Sequence, residues 1–173
     1  LGRLVAELRA AGHVVDRVDL GGGLGVRYRP EDPAPWPTEL GEMVARVTRD
    51  WDVELTFEPG RVIAGNAGVL LTRVIWVKPG VVHPYVIVDA AMNDLARPAL
   101  YGAYHHFEAV RPSGERMTAH IAGPVCETGD TFAMGREIDR VESGDLAIFR
   151  TAGAYGATMA STYNSRALVS EVM

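Results

Sequence analysis

The sequence predicts an α/β segment followed by an all-β domain, and three observations carry the prediction. Within residues 1–72, apolar residues recur at helical spacing in two stretches, and each stretch is followed by a short strand-like run. Both runs end in glycine-containing turns. From residue 73 onward the helical period disappears, and short runs rich in Val, Ile and aromatic residues alternate with Gly, Pro, Asn and Asp. The 173 residues therefore divide into an α/β part, 1–72, and a β part, 73–173.

The elements follow in order. Leu4, Val5 and Leu8 share one face of a helix over 1–11, which Gly12 stops. Residues 14–20 form a short strand that runs into Gly21-Gly22-Gly23-Leu24-Gly25. A proline-rich loop occupies 29–37. Thr38 then serves as N-cap of a helix whose inner face carries Leu40, Met43, Val44, Val47 and Trp51. A second strand, 53–57, closes on Glu58-Pro59-Gly60-Arg61, and a short helix covers 62–71. Repeated helix–strand units imply a parallel sheet. Beyond them, strands are expected at 74–77, 85–88, 106–110, 118–121, 146–150 and 166–173, an all-β pattern of the sandwich kind.

Composition narrows the function classes. Apolar residues at 47% and charged residues at 23% describe an ordinary globular protein, and a net charge of −5 argues against a nucleic-acid backbone binder. One cysteine excludes a disulfide framework and points to a reducing cytoplasm. No apolar run approaches the ~20 residues of a membrane span, and no metal site is expected. The chain opens at Leu1 inside an amphipathic pattern and reads as part of a longer protein. Of 17 basic residues 16 are arginine, so Lys78 is the one lysine available for imine chemistry.

Several motifs carry chemistry. Gly21, Gly22 and Gly23 lie just past a strand, where small residues let backbone N–H groups close on phosphate oxygens; a plain tight turn is the alternative. Glu58-Pro59-Gly60-Arg61 sets an acid and a guanidinium across a stiff proline and a permissive glycine at the next strand's end. Arg97 and Tyr101 could grip a carboxylate, against the alternative of a solvated turn arginine. Tyr155 is a lone phenol among Ala152, Gly153, Ala154, Gly156 and Ala157, a setting that suits close approach to a ligand. Cys126 has two readings. A free cysteine packs as a small core hydrophobe, but Pro124, Glu127, Gly129 and Asp130 around it are loop chemistry, and a thiol on a polar loop is ligand-facing.

Taken in order, the Leu20–Gly25 turn, Glu58–Arg61, the segment 89–101, Cys126-Glu127 and Gly153-Ala154-Tyr155-Gly156 resemble the C-terminal half of the diaminopimelate decarboxylases. These are fold-type III, pyridoxal-phosphate-dependent enzymes, and the likeness covers nearly the whole chain. It implies that 1–72 is the C-terminal part of a TIM-type (β/α)8 barrel that binds the cofactor. It implies a C-terminal β domain of sandwich or Greek-key type over 73–173, and a homodimer with shared active sites.

The resemblance also implies roles. Gly21 to Gly23, with Gly60 and Arg61, would hold the cofactor phosphate, Pro59 lying between the acid and these residues. Glu58 would keep the pyridine nitrogen protonated, so that the ring withdraws electrons as CO2 departs. Arg61, Arg97 and Tyr101 would bind substrate carboxylate, Glu127 the distal ammonium of a diamino acid, and Tyr155 both phosphate and substrate. Cys126 would return a proton to Cα from the neighbouring subunit, a role open to a thiol because it holds its proton at neutral pH. The reaction implied is decarboxylation of meso-2,6-diaminopimelate to L-lysine, a step of lysine biosynthesis. Glu127 favours this branch over the related ornithine decarboxylases, which carry aspartate after the cysteine; a related basic amino-acid decarboxylase acting on ornithine, arginine or carboxynorspermidine is the alternative, since these share much of the architecture.

The Schiff-base lysine and the histidine that stacks on the cofactor belong to the early barrel and are absent from these residues. Lys78, in a Lys-Pro-Gly turn between strands, does not replace the lysine, so the 173 residues alone are not expected to catalyse. His13, His83, His105, His106 and His120 read as solvated or satisfied side chains. Two other classes compete. A non-catalytic homologue would tend to lose Glu58, Arg61, Cys126 and Tyr155, all of which are present. An autonomous β module with a barrel remnant would leave apolar faces exposed.

Overall fold

A computed structural model describes residues 1–34 and 36–172; Pro35 of the proline-rich loop and Met173 of the expected last strand lie outside the described residues. The chain forms two compact units, one from residues 1–27 and 33–63, the other from 28–32 and 64 onward.

In the first unit, helix α1 (Gly2–Ala10) precedes strand β1 (Arg17–Asp19), and helix α2 (Pro37–Thr48) precedes strand β2 (Glu54–Thr56). The two strands pair in parallel, with Arg17 opposite Glu54 and Asp19 opposite Thr56, as the alternating pattern predicts. Arg9 ties the unit together: its guanidinium donates to the carbonyls of Trp51 (2.7 Å), Asp52 (2.7 Å) and Val15 (3.1 Å). The N-cap of α2 is Trp36, not Thr38. Pro37 takes the first helical position, where its missing N–H costs nothing, and Glu39 reaches back to accept the Trp36 N–H at 2.9 Å. Only Val44 of the expected inner face is fully buried; Met43 and Val47 are exposed at 45% and 57%.

The helix expected over 62–71 is shorter. It begins as α3 (Gly60–Ala64), tightens into a 3₁₀ turn (Gly65–Ala67), and gives way to strand β3 (Leu70–Lys78). Gly65 and Gly68 are poor helix residues, and Gly68 lies close against the backbone of Gly153.

The second unit is built on β3, β4 (Tyr85–Val88), β5 (Phe107–Ala109), β6 (Arg116–Ala122), β7 (Thr131–Asp139) and β8 (Leu146–Phe149), with one short helix, α4 (Arg97–Tyr101). The strands form a single sheet in the order β5-β8-β3-β4-β6-β7, antiparallel except for the β4–β6 pair. This replaces the expected sandwich. The sheet curls until its two edge strands meet, where Asp139 on β7 accepts the backbone N–H of Ala109 on β5 at 3.0 Å. Register shifts at Val74/Trp76 and at Ala119/Ile121 provide the bend, since an extra residue on one strand increases local coiling. At the second shift Met134 and Gly135 oppose His120 alone, and the Gly135 N–H bonds His120 Nδ1 at 2.9 Å.

Inside the curl lie Val74, Val86, Val88, Leu95, Ile121 and Ile138, with Phe149 between Phe107 (ring centroids 5.2 Å) and Phe132 (4.5 Å). Fully burying side chains of this size contributes roughly 1.5–3 kcal/mol each. No strand forms in the described part of 166–173. Arg166 instead donates to the Asp89 carbonyl at 2.7 Å and lies 3.5 Å from the Asp94 carboxylate.

Candidate functional site

Because β1 and β2 are parallel, the turns that follow them leave the same edge of the first unit. Backbone bonds continue the pairing beyond the strands: Leu20 N–H donates to Thr56 (2.9 Å) and Glu58 N–H to Gly21 (2.8 Å). Asp19 holds the turn by accepting the Gly21 N–H at 2.7 Å. A β-carbon on Gly22 would run into the carbonyl oxygen of Glu58, so glycine is what lets the two turns touch. Nothing lies within 4 Å of the Cβ positions of Gly21, Gly23 and Gly60. The result is a backbone cradle with open space above it. Its rim carries Glu58, exposed, and Arg61, half-buried in the first turn of α3. Such a surface of closely spaced peptide groups and one guanidinium suits a phosphate oxyanion.

In the second unit, α4 carries Arg97 and Tyr101 one turn apart, and Gly102 ends the helix in the left-handed conformation (φ 59°). Tyr101 is exposed, whereas the Arg97 guanidinium sits among aromatic rings, 4.8 Å from the Tyr28 centroid and 5.9 Å from that of Tyr155. Arg97 Nη1 is 3.2 Å from Nε2 of His105, a side chain only 1% exposed. His105 Nδ1 lies 3.0 Å from the Arg150 carbonyl, its backbone oxygen accepts Arg136 Nη1 at 2.7 Å, and Tyr28 meets its ring edge-on at 5.4 Å. Burial lowers the His105 pKa below its ordinary 6.5. The Arg97 and Arg136 charges push the same way, while the bond to the Arg150 carbonyl opposes them. Tyr155 stands at φ 61°, a conformation uncommon for a non-glycine residue. Of the residues singled out in the sequence, Arg97 and Tyr155 lie together here, and Tyr101 stands exposed one turn further along α4. The sequence did not single out His105 and Tyr28, which contact Arg97, or Arg136, which bonds the His105 backbone; the adjacent pair His105-His106 gave no sign of which ring faces inward.

Cys126 and Glu127 are exposed on the loop between β6 and β7, which settles the two readings of the cysteine: it is a loop thiol, not a core residue. Asp130, 2% exposed, fastens that loop. Its carboxylate accepts N–H groups from Met92 (2.6 Å) and Val125 (2.7 Å), and Gly123 donates to its carbonyl at 2.9 Å. A side chain on Gly123 would collide with the carboxylate. Burial raises the Asp130 pKa, and the two backbone bonds partly offset it. Asp130 therefore ties the thiol loop to the segment that leads into α4.

That segment is more structural than its polarity suggests. Asp89 accepts Thr72 Oγ1 (2.7 Å) and Arg73 N–H (2.8 Å), Asn93 Nδ2 donates to Tyr163 (2.7 Å), and Asp94 accepts Ala91 N–H (2.8 Å). Among the described residues no cluster of three or more His, Cys, Asp or Glu could hold a metal ion, and no helix is long and apolar enough to cross a membrane.

Comparison with known proteins gives a consistent picture. Residues 12–153 match the family model described as pyridoxal-dependent decarboxylase, C-terminal sheet domain. The chain is 56% identical over 171 residues to a diaminopimelate decarboxylase of Zymomonas mobilis, covering 98% of this chain and 41% of that protein. It is 51% identical to the Neisseria meningitidis serogroup A diaminopimelate decarboxylase, covering 98% of this chain and 42% of that protein. The crystal structure of diaminopimelate decarboxylase from M. jannaschii in co-complex with L-lysine superposes with a TM-score of 0.90 at 38% identity, covering 95% of this chain and 39% of that one. The chain thus spans about 41% of the length of curated relatives it matches.

Proposed function

From the premise that the chain belongs to the pyridoxal-dependent decarboxylases, whose C-terminal sheet domain it carries, we propose that it works as the C-terminal portion of a diaminopimelate decarboxylase. The reaction is release of CO2 from meso-2,6-diaminopimelate to give L-lysine, in the cytoplasm. In this reading residues 1–72 complete the C-terminal part of a cofactor-binding α/β barrel, residues 73–173 are the β domain, and the working enzyme is a homodimer with shared active sites. The observation that carries the reading is the Gly22–Glu58 contact, which joins the two turns into one cradle, on a chain whose relatives over its whole length are diaminopimelate decarboxylases.

Bound pyridoxal phosphate supplies an electron-withdrawing ring that makes loss of the carboxylate feasible. The residues of this chain contribute binding and proton delivery. Backbone N–H groups of Gly21 to Gly23, Gly60 and Arg61 hold the phosphate, with Pro59 stiffening the second turn. The Glu58 carboxylate holds a proton on the ring nitrogen, which preserves the ring's pull. The guanidiniums of Arg61 and Arg97 and the phenol of Tyr101 bind substrate carboxylate, matching charge with a planar fork. Glu127 binds the distal ammonium, and Tyr155 serves both phosphate and substrate. When the carboxylate leaves as CO2 its bonding pair stays with Cα, and Cys126 Sγ delivers its proton there. The resulting thiolate regains a proton from water.

Turnover by the full-length protein tests the proposal: CO2 and lysine appear in equal amounts from meso-diaminopimelate, and only with pyridoxal phosphate present. Cofactor binding without CO2 release would contradict it.

A further inference from the structure

We propose that His105 is a positioning residue for Arg97, a neutral acceptor that aims the guanidinium at substrate carboxylate without cancelling its charge. The inference rests on the carboxylate-binding reading of Arg97 given above and adds the group that makes that arginine usable.

The hydrogen bonds assign the tautomer. The Arg150 carbonyl, 3.0 Å from His105 Nδ1, can only accept, so Nδ1 carries the proton. Arg97 Nη1, 3.2 Å from Nε2, can only donate, so Nε2 presents its lone pair. Both ring nitrogens are thereby committed, and the ring has one orientation. Facing the ring, the Tyr28 edge is uncharged and the Arg150 carbonyl at the end of β8 favours the protonated form, whereas the charges of Arg97 from α4 and of Arg136 on β7, which reaches the His105 backbone oxygen, favour the neutral one. Burial acts in the same direction.

The choice of partner has a chemical consequence. A buried arginine is more often oriented by a carboxylate, which fixes the fork but neutralises it. A neutral imidazole fixes one N–H and leaves the full positive charge for a ligand. Among the described residues the faces of Tyr28 and Tyr155 also meet Arg97, and they tolerate a cation without neutralising it. The arrangement keeps Arg97 charged, held on one side, and free to use its remaining donors on a carboxylate. Protonation of His105 would remove the acceptor and set a third positive charge beside Arg97 and Arg136.

Two substitutions in the full-length enzyme separate positioning from packing. His105→Asn keeps a nitrogen near the Nδ1 position for the Arg150 carbonyl but does not reach Arg97. His105→Gln places an oxygen near the Nε2 position, where it accepts from Arg97, and gives up the Arg150 bond. We expect His105→Asn to raise KM for meso-diaminopimelate about tenfold, with cofactor affinity unchanged, and His105→Gln to stay within about twofold of wild type. In an Arg97→Ala background, His105→Asn should add no further loss. If Asn and Gln raise KM equally, or if KM follows melting temperature across the variants, His105 only packs and the inference is overturned. A further loss in the Arg97→Ala background overturns it as well. Should His105→Asn fail to fold, His105→Gln decides: a tenfold rise in KM in a folded protein overturns the inference, and a KM held within twofold supports it. If Arg97→Ala itself leaves KM unchanged, the carboxylate reading of Arg97 falls and takes the inference with it. A normal response to Arg97→Ala with no effect of His105→Asn defeats the positioning role alone.

Discussion

Glu58 donates its backbone N–H to the carbonyl of Gly21 at 2.8 Å, and this bond joins the turns that follow two parallel strands. The contact is possible because Gly22 carries no side chain where the Glu58 carbonyl lies. Gly22→Ala must push the turns apart, and overpacking of this kind costs roughly 1–3 kcal/mol. Affinity of the full-length enzyme for pyridoxal phosphate, measured by absorbance titration, should fall about tenfold or more. Gly25→Ala has open space around its Cβ and serves as the tolerated control.

Asp130→Asn leaves only one acceptor oxygen for the two N–H groups of Met92 and Val125. An orphaned buried donor costs about 1–3 kcal/mol. We expect a lower melting temperature and a fall in kcat larger than any change in cofactor affinity, because the loop that loosens is the one bearing Cys126. Unchanged melting and turnover would show that the clamp is dispensable.

Cys126→Ala should reduce kcat about a hundred- to ten-thousand-fold, the range of a lost general acid, with KM for diaminopimelate nearly unchanged. The product formed in D2O should lose its stereochemical purity at Cα. A variant with normal turnover and stereochemistry would remove Cys126 from the chemistry.

The depressed pKa of His105 sets a pH dependence of stability. In the folded state the imidazole resists protonation, so the unfolded chain binds the extra proton as pH drops below 6.5. The contribution is fully present above 6.5 and is lost as pH falls through the lower, folded-state value. Denaturation midpoints measured from neutral to mildly acidic pH should therefore fall less steeply for His105→Gln than for wild type. Parallel curves would mean that His105 titrates alike in both states.

Much of this was legible in the sequence, for physical reasons. The parallel pair and its two turns announce themselves because glycine and proline punctuate strand ends. Cys126 could be placed on a loop because Pro124 and Gly129 do not suit a core strand. Strand β7 was hidden: Gly135, at φ 54° inside a bulge, reads as a turn although the pairing continues past it. The same bulge helps turn the expected sandwich into a curled single sheet, because register shifts leave no trace in hydrophobic alternation. The N-cap of α2 moved from Thr38 to Trp36 because Pro37 and Glu39 outweigh a hydroxyl two residues on. His105 was passed over since local sequence cannot distinguish a buried ring from the half-exposed His106 beside it.

The central claim is the reaction and its substrate, and one measurement meets it directly: kcat/KM for CO2 release by the full-length, cofactor-loaded protein from meso-diaminopimelate, ornithine and arginine. A site that pairs a distal ammonium with Glu127 and a carboxylate with Arg97 should favour diaminopimelate by about a hundredfold or more, since groups left unpaired penalise the wrong substrates. Equal rates on the three, or preference for ornithine or arginine, would contradict the account.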